Sequence, residues 1–252
     1  MTTIEQSRKR HRQGLEAVDG LGQLSEYLAS ADCAPLPIIE TDGKAIVLDL
    51  SANSRMLGRS LRGVGVEQLA SLIDGAMHAA GTGFAFGRYA EDRELYNNEN
   101  FASADATESR TVHMGIDLFC VAGTAVHAPL DGEVHIVANN QLELDYGPML
   151  VLQHRAGDRD FYSLYGHLNL DSIAGIRPGQ TIRAGDPIAA LGSPPENGNW
   201  PPHLHFQLII DLLGLGKDFP GVAYRSQSDF WLALSPNPAR FFPEIDAASL
   251  SA

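Results

Sequence analysis

The sequence predicts a mainly β protein. An antiparallel β domain over residues 110–245 is preceded by a small α+β region over residues 1–85 and a linker or extended arm over residues 86–109. Two observations carry this reading. From about residue 110, short apolar runs alternate with turn signals such as "LDGE", "RAGDRD", "RPGQ" and "RAGD", which is the texture of hairpins. Before residue 85, apolar residues recur instead at helical spacing. Neither TIM-barrel nor dinucleotide-binding alternation is present, and no GxGxxG follows a strand.

In order, Leu15, Val18, Leu21, Leu24 and Leu28 mark a first helix. "KAIVLDL" reads as a strand, and Val66, Leu69, Leu72, Ile73, Ala76 and Met77 mark a second helix. The Gly-rich "GTGFAFGRYAEDREL" and a polar stretch through about residue 108 have the composition of a connecting arm. Beyond it, "TVHMGIDLFCV", "GEVHIVA", "MLVLQHR", "DFYSLYGHL", "TIRAG", "PIAALG" and "HLHFQLII" read as strands. The last begins after Pro201 and Pro202, which cannot donate to a ladder and so mark its start.

A hydrophobic share of 44% suits a globular chain. The net charge of −13 is unevenly spread: residues 86–252 carry 10 Lys and Arg against 21 Asp and Glu, and residues 1–85 carry 8 against 10. An acidic body repels nucleic acid, anionic membranes and anionic wall polymers, so neither nucleic acid nor membrane is an expected partner. The basic cluster Arg8, Lys9, Arg10 and Arg12 reads as a solvated end. As given, the chain has no apolar stretch of signal-peptide or membrane-span type, so a cytoplasmic location is expected. Cys33 and Cys120 are too few and too far apart for a disulfide framework, and Cys120 reads as a buried small apolar residue.

Three constellations carry chemistry. In "HMGID", His113 and Asp117 are four apart; Gly115 disfavours a helix, and on a strand the even offset puts both side chains on one face. In "LYGHLNL", His167 ends an aromatic-rich strand beside Gly166. In "PPHLHFQLII", His203 and His205 share a strand face with Gln207, while Leu204, Phe206 and Leu208 take the other. Two His and one Asp make a three-ligand set that suits zinc and leaves a fourth position for water. The remaining two histidines are then free to move protons or stabilise an oxyanion. Spacing does not decide which member of His203 and His205 is the ligand. By contrast, His127, His135 and His154 read as structural, and His11 and His78 as surface or incidental.

The motifs "HMGIDLFCVAGTAVHAPLDGEVH", "YSLYGHL", "IRPGQTIRAGDPIAALG" and "PPHLHF" resemble the lysostaphin/LytM-type zinc metallopeptidases over about residues 110–210. The resemblance implies an antiparallel β-sheet groove with zinc on its floor. It further implies one Zn2+ per chain held by His113, Asp117 and His205, with His167 and His203 as catalytic residues. Gly123, Asp131, Gly132, Gly179, Gly185 and Gly192 match the family's turn signals. The segment "GSPPENGNWPPHLHFQ" departs from the small Gly/Ser/Thr-rich loop common there, and its prolines and Trp200 are expected to stiffen or narrow one wall.

The implied activity is zinc-dependent hydrolysis of peptide bonds in peptidoglycan-type or other short peptides, with a peptide or peptidoglycan fragment as substrate. No HExxH glutamate is present, so histidine is the candidate base. A zinc-bound non-catalytic peptide-binding module and a histidine phosphocarrier are the alternatives. A carboxylate beside His113 argues against the second. The sequence leaves the oligomeric state open.

Overall fold

The computed structural model describes residues 21–30, 33–95, 102 and 108–252. Helix α1 spans Leu21–Ala29 and α2 spans Val66–Ala80. Both carry an apolar stripe, and α2 ends at Gly81, whose φ of 65° closes the helix in the left-handed region. The segment with Leu15, Val18, His11 and the basic cluster lies outside the described residues, as does most of the polar stretch 96–107. No helix among the described residues is long and apolar enough to cross a membrane.

Among the described residues the molecule is built on one sheet of eight strands in the order β1-β2-β4-β11-β8-β7-β6-β9. These are β1 (Ile46–Leu48), β2 (Ala85–Gly87), β4 (Ile116–Phe119), β6 (Gly132–Asn140), β7 (Gly147–Ala156), β8 (Arg159–Gly166), β9 (Thr181–Ile182) and β11 (His203–Ile209). Two small sheets flank it: β5 (Ala125–His127) with β10 (Pro187–Ala190), and β3 (Arg110–His113) with β12 (Val222–Tyr224). Every pairing is antiparallel except β1 with β2, which makes the main sheet mixed.

The sheet is buried on both faces. Phe86, Ile116, Leu150, Leu204 and Phe206 enter one core, and Met149, Val151, Leu164 and Ile209 enter another. A third core joins the N-terminal region to the β domain, because Leu48, Leu50, Leu69 and Ile73 pack with Phe119 and Trp200. Cys33 and Cys120 are buried and free.

Two structural findings depart from the sequence reading. Within residues 86–109, where a connecting arm was expected, Phe86 and Gly87 belong to β2 in the main sheet and a buried strap follows; Glu91 and Arg93 are 0% and 2% exposed. A three-residue strand ending in glycine is too short for its period to register against a polar background. Second, "TVHMGIDLFCV" is not one strand. It breaks at Met114–Gly115, so that β3 and β4 belong to different sheets.

Candidate metal centre

β11 lies between β4 and β8, and its register sets His205 opposite Asp117 on one side and Gly166 on the other. His203 is two residues along the same face, opposite Phe119. His113 arrives from the small sheet through the break at Gly115. A Cβ there would lie 2.6 Å from the Phe206 carbonyl oxygen and 2.8 Å from the His205 ring, so only glycine lets the chain cross this close. His113 and Asp117 therefore converge by a step between sheets, not by sharing one strand's face.

The geometry around these three residues fixes their protons. His113 Nδ1 lies 2.9 Å from the Arg88 carbonyl oxygen and must donate to it, leaving a lone pair on Nε2. Gln207 Nε2 donates to the Pro220 carbonyl oxygen and to Ser235 Oγ, which turns Gln207 Oε1 toward His205 Nε2 at 2.9 Å. His205 Nε2 must donate in turn, leaving a lone pair on Nδ1. His113 Nε2 lies 3.0 Å from His205 Nδ1, and each lies 3.1–3.2 Å from Asp117 Oδ1.

Three acceptors thus face one another with no proton among them. Burial, reinforced by the charge of Arg93, pushes His113 down to about 4, so its ring stays neutral at pH 7. Burial alone would raise the Asp117 carboxyl; the pull of His113, Arg93 and His203, of which the Arg93 guanidinium is the one charged at neutral pH, overcomes that and holds it well below the usual carboxylate range. A cation is the natural partner for such a triangle. Zinc ligands at about 2.0–2.2 Å in a tetrahedron stand roughly 3.3 Å apart, close to the separations here, so the donor set fits that ion.

His167 follows β8 with a positive φ of 64°, uncommon for a residue with a side chain. Its N–H donates to the Tyr146 carbonyl oxygen at 2.8 Å, and its own carbonyl accepts from Gly192 at 2.9 Å. Its Nδ1 donates to the Asn197 carbonyl oxygen at 2.8 Å, and His203 Nδ1 donates to that of Pro201 at 2.7 Å. Both Nε2 atoms keep their lone pairs. The two rings are 4.3 Å apart, His203 stacks on Phe119 at 4.8 Å, and His203 Nε2 lies 3.7 Å from Asp117 Oδ1. Burial lowers both histidines, His167 well below its ordinary value, with His203 and His205 adding to the effect there.

The structure thus brings together all five residues singled out by sequence, and the other histidines among the described residues lie elsewhere. His135 and His78 are exposed, His127 is half-buried, and His154 is buried between the Asp131 carbonyl and Ser163 Oγ. A cleft of about 260 Å³ opens on the five. Leu50, Leu69, Leu95, Phe119 and Trp200 line it from the shared core, and Arg110, Asn140 and Lys217 are among its polar lining. Trp200 is 6% exposed, and its N–H and carbonyl are held by Asn197.

Sequence reasoning missed Asn197, Arg93 and Glu91. Asn197 sits in a loop whose turn composition masks its burial. The pair Glu91 and Arg93 sits in a polar run, where opposite charges two apart are a weak signal.

Residues 111–213 match the family profile described as Peptidase family M23. An uncharacterized metalloprotease of Haemophilus influenzae is 33% identical over 99 residues, which cover 39% of this chain and 19% of that protein. An L-Ala--D-Glu endopeptidase of Bacillus subtilis is 32% identical over 110 residues, covering 40% of this chain and 31% of that protein. The chain therefore spans between about a fifth and a third of the length of these relatives. Among solved structures, a zinc-containing peptidase from Vibrio cholerae is similar at 26% identity and a TM-score of 0.33, with 44% of this chain and 31% of that one covered. The catalytic domain of lysostaphin from Staphylococcus simulans is similar at 23% identity and a TM-score of 0.35, with 48% and 80% covered. The resemblance read from the motifs thus holds over residues 111–213, the stretch that matches the family M23 profile.

Proposed function

We propose that the chain is a zinc-dependent metalloendopeptidase acting on peptidoglycan-type or other short peptides, with one Zn2+ held by His113, Asp117 and His205. The observation that carries this reading is the triangle of three lone pairs with its outer ring nitrogens already committed to Arg88 and Gln207. A bound zinc ion supplies a Lewis acid that brings the pKa of a water to about 7 and polarises a carbonyl oxygen.

The chain's own groups do the rest. His167 and His203 are neutral at pH 7, and each presents Nε2 to the cleft with Nδ1 anchored on a backbone carbonyl. One of the two accepts a proton of the attacking water on Nε2; that single Nε2–H then donates to the developing oxyanion and passes its proton to the leaving amine as the C–N bond breaks. The apolar lining of the cleft holds a peptide beside these groups.

The test is metal analysis of protein purified without added metal, together with cleavage of muropeptides, purified sacculi and linear peptides, each with a chelated control. We expect about one zinc per chain and chelator-sensitive cleavage of soluble fragments. Clearing of intact sacculi should be weak, because residues 86–252 carry 21 acidic against 10 basic side chains and are repelled by anionic wall polymers. His113→Ala, Asp117→Ala and His205→Ala should each empty the site, since two protein ligands compete poorly with water. Full occupancy in all three would sink the ligand assignment; zinc without turnover on any substrate would favour a peptide-binding module.

A further inference from the structure

We infer that Arg93 is the positioning residue of the metal centre, holding the Asp117 carboxylate so that it offers a single oxygen to the ion, with Glu91 as its fixed counter-charge. This rests on the zinc reading above and goes beyond it, because both residues lie outside the matched stretch 111–213.

The argument begins at Gly87, the end of β2, which pairs with Asp117 in the sheet. The chain then turns through Ala90, at a φ of 59°, and returns antiparallel to β3. Ala90 donates to the His113 carbonyl, His113 to that of Glu91, and Arg93 to that of Thr111, at 2.8–2.9 Å. This strap carries the Arg93 guanidinium back over the carboxylate. Nη1 donates to Asp117 Oδ2 at 2.6 Å, Nε to Glu91 Oε2 at 2.8 Å, and Nη2 to the Arg88 carbonyl at 3.3 Å. That carbonyl is the same one that accepts the His113 ring proton. The strap therefore fixes two of the three ligands, one through backbone and one through Arg93.

Glu91 is locked in turn: its Oε1 accepts from the Leu50 N–H at 3.0 Å and from Arg88 Nε at 2.8 Å, and Arg88 also meets Asp49 at 2.6 Å. Charges alternate along this path, from Asp49 at the surface through Arg88, Glu91 and Arg93 to Asp117. The space was kept for the guanidinium, since a Cβ on Gly87 would lie 2.6 Å from Arg93 Nη2.

Stability alone is a poor explanation for the arrangement. Buried ion pairs seldom outdo an apolar replacement of the same volume, because desolvation of both charges offsets their attraction. What the guanidinium does achieve is geometric. With Oδ2 drawn to the guanidinium, Oδ1 is the oxygen that faces the two ring nitrogens, 3.1–3.2 Å away. A bidentate carboxylate would use up the fourth position; this one leaves it for water or substrate.

The test uses the full chain as wild type, Arg93→Gln, Arg93→Lys and Glu91→Gln. Zinc affinity is measured by competition with a chromophoric chelator, the cobalt(II)-substituted centre by its visible spectrum, and folding by near-UV circular dichroism. Arg93→Gln should lower zinc affinity by roughly ten- to a hundredfold, as loss of an outer-shell partner does, and its cobalt bands should weaken as a second carboxylate oxygen coordinates. Arg93→Lys keeps the charge without the planar fork and should fall between that variant and wild type. It also decides the matter if Arg93→Gln does not fold. Wild-type affinity and wild-type cobalt bands in folded Arg93→Gln or Arg93→Lys would overturn the inference while leaving the zinc reading intact. A wild-type chain that takes up neither zinc nor cobalt would overturn both.

Discussion

His167 and His203 differ from the other three residues of the cluster in what their removal should do. Each is anchored through Nδ1 on a loop carbonyl, and neither has an Nε2 in the ligand triangle. His167→Ala and His203→Ala should therefore retain zinc and fold but lose activity by about a hundredfold or more when proton transfer limits the rate. Equal loss of metal in His203→Ala and His205→Ala would show that the pair is divided wrongly. His154 bears on stability instead. Burial lowers its pKa, against the opposing pull of its bond to the Asp131 carbonyl, so it is neutral when folded and takes up a proton when unfolded below about pH 6.5. A depressed histidine leaves stability complete above the unfolded value and erodes it as pH falls from there toward the folded one, by at most about 1.4 kcal/mol per pH unit. Urea unfolding of metal-free wild type and His154→Gln should show a shallower acid loss in the variant; parallel losses would exclude His154 as a contributor. At this scale, offset parity in the sequence placed His203 and His205 on one face of β11, whereas His113 and Asp117 meet for a different reason, the break at Gly115. Arg93 was illegible because its burial depends on Asp117, 24 positions away, not on any local pattern.

The hairpin strands from β6 to β8 and the helix α2 follow their sequence patterns, since long periodic runs commit a face to burial. β2 and the break between β3 and β4 were not legible. Each turns on what a glycine allows to approach it, and a sequence shows the glycine without its neighbour. Gly192 shows the same logic in the loop before β11. A Cβ there would lie 2.4 Å from the Leu168 carbonyl oxygen and 2.9 Å from Asn197 Cβ, between the backbone that carries His167 and the side chain that organises the loop. Gly192→Ala should destabilise the fold by roughly 1–3 kcal/mol, as overpacking does, and lower kcat by displacing His167, with zinc content unchanged. Thermal unfolding and metal analysis would check both halves; wild-type turnover would show that the loop absorbs the methyl without moving the histidine.

On the scale of the molecule, the N-terminal region and the M23-type stretch share both a sheet and a core. Sequence gave the two textures but not their union, because a pairing between strands such as Gly87 with Asp117 leaves no mark in either segment. A chain beginning at residue 110 would lose β1, β2, Glu91 and Arg93 and uncover Phe119 and Trp200. We expect it to be poorly soluble or, if folded, deficient in zinc; a folded truncation with full zinc content would show the region to be dispensable for the centre. The topology also has a kinetic side. His205 sits on β11, which is laddered to β4 and β8 on its two sides, whereas His113 ends β3, a four-residue strand held by the three residues of β12 and by the strap. Backbone amides of β3 should accordingly exchange with deuterium well before those of β11, since local opening follows the weaker ladder. Loss of a zinc ion bound as proposed would then begin at His113, through local opening of β3 and its strap, while β11 stays paired on both edges.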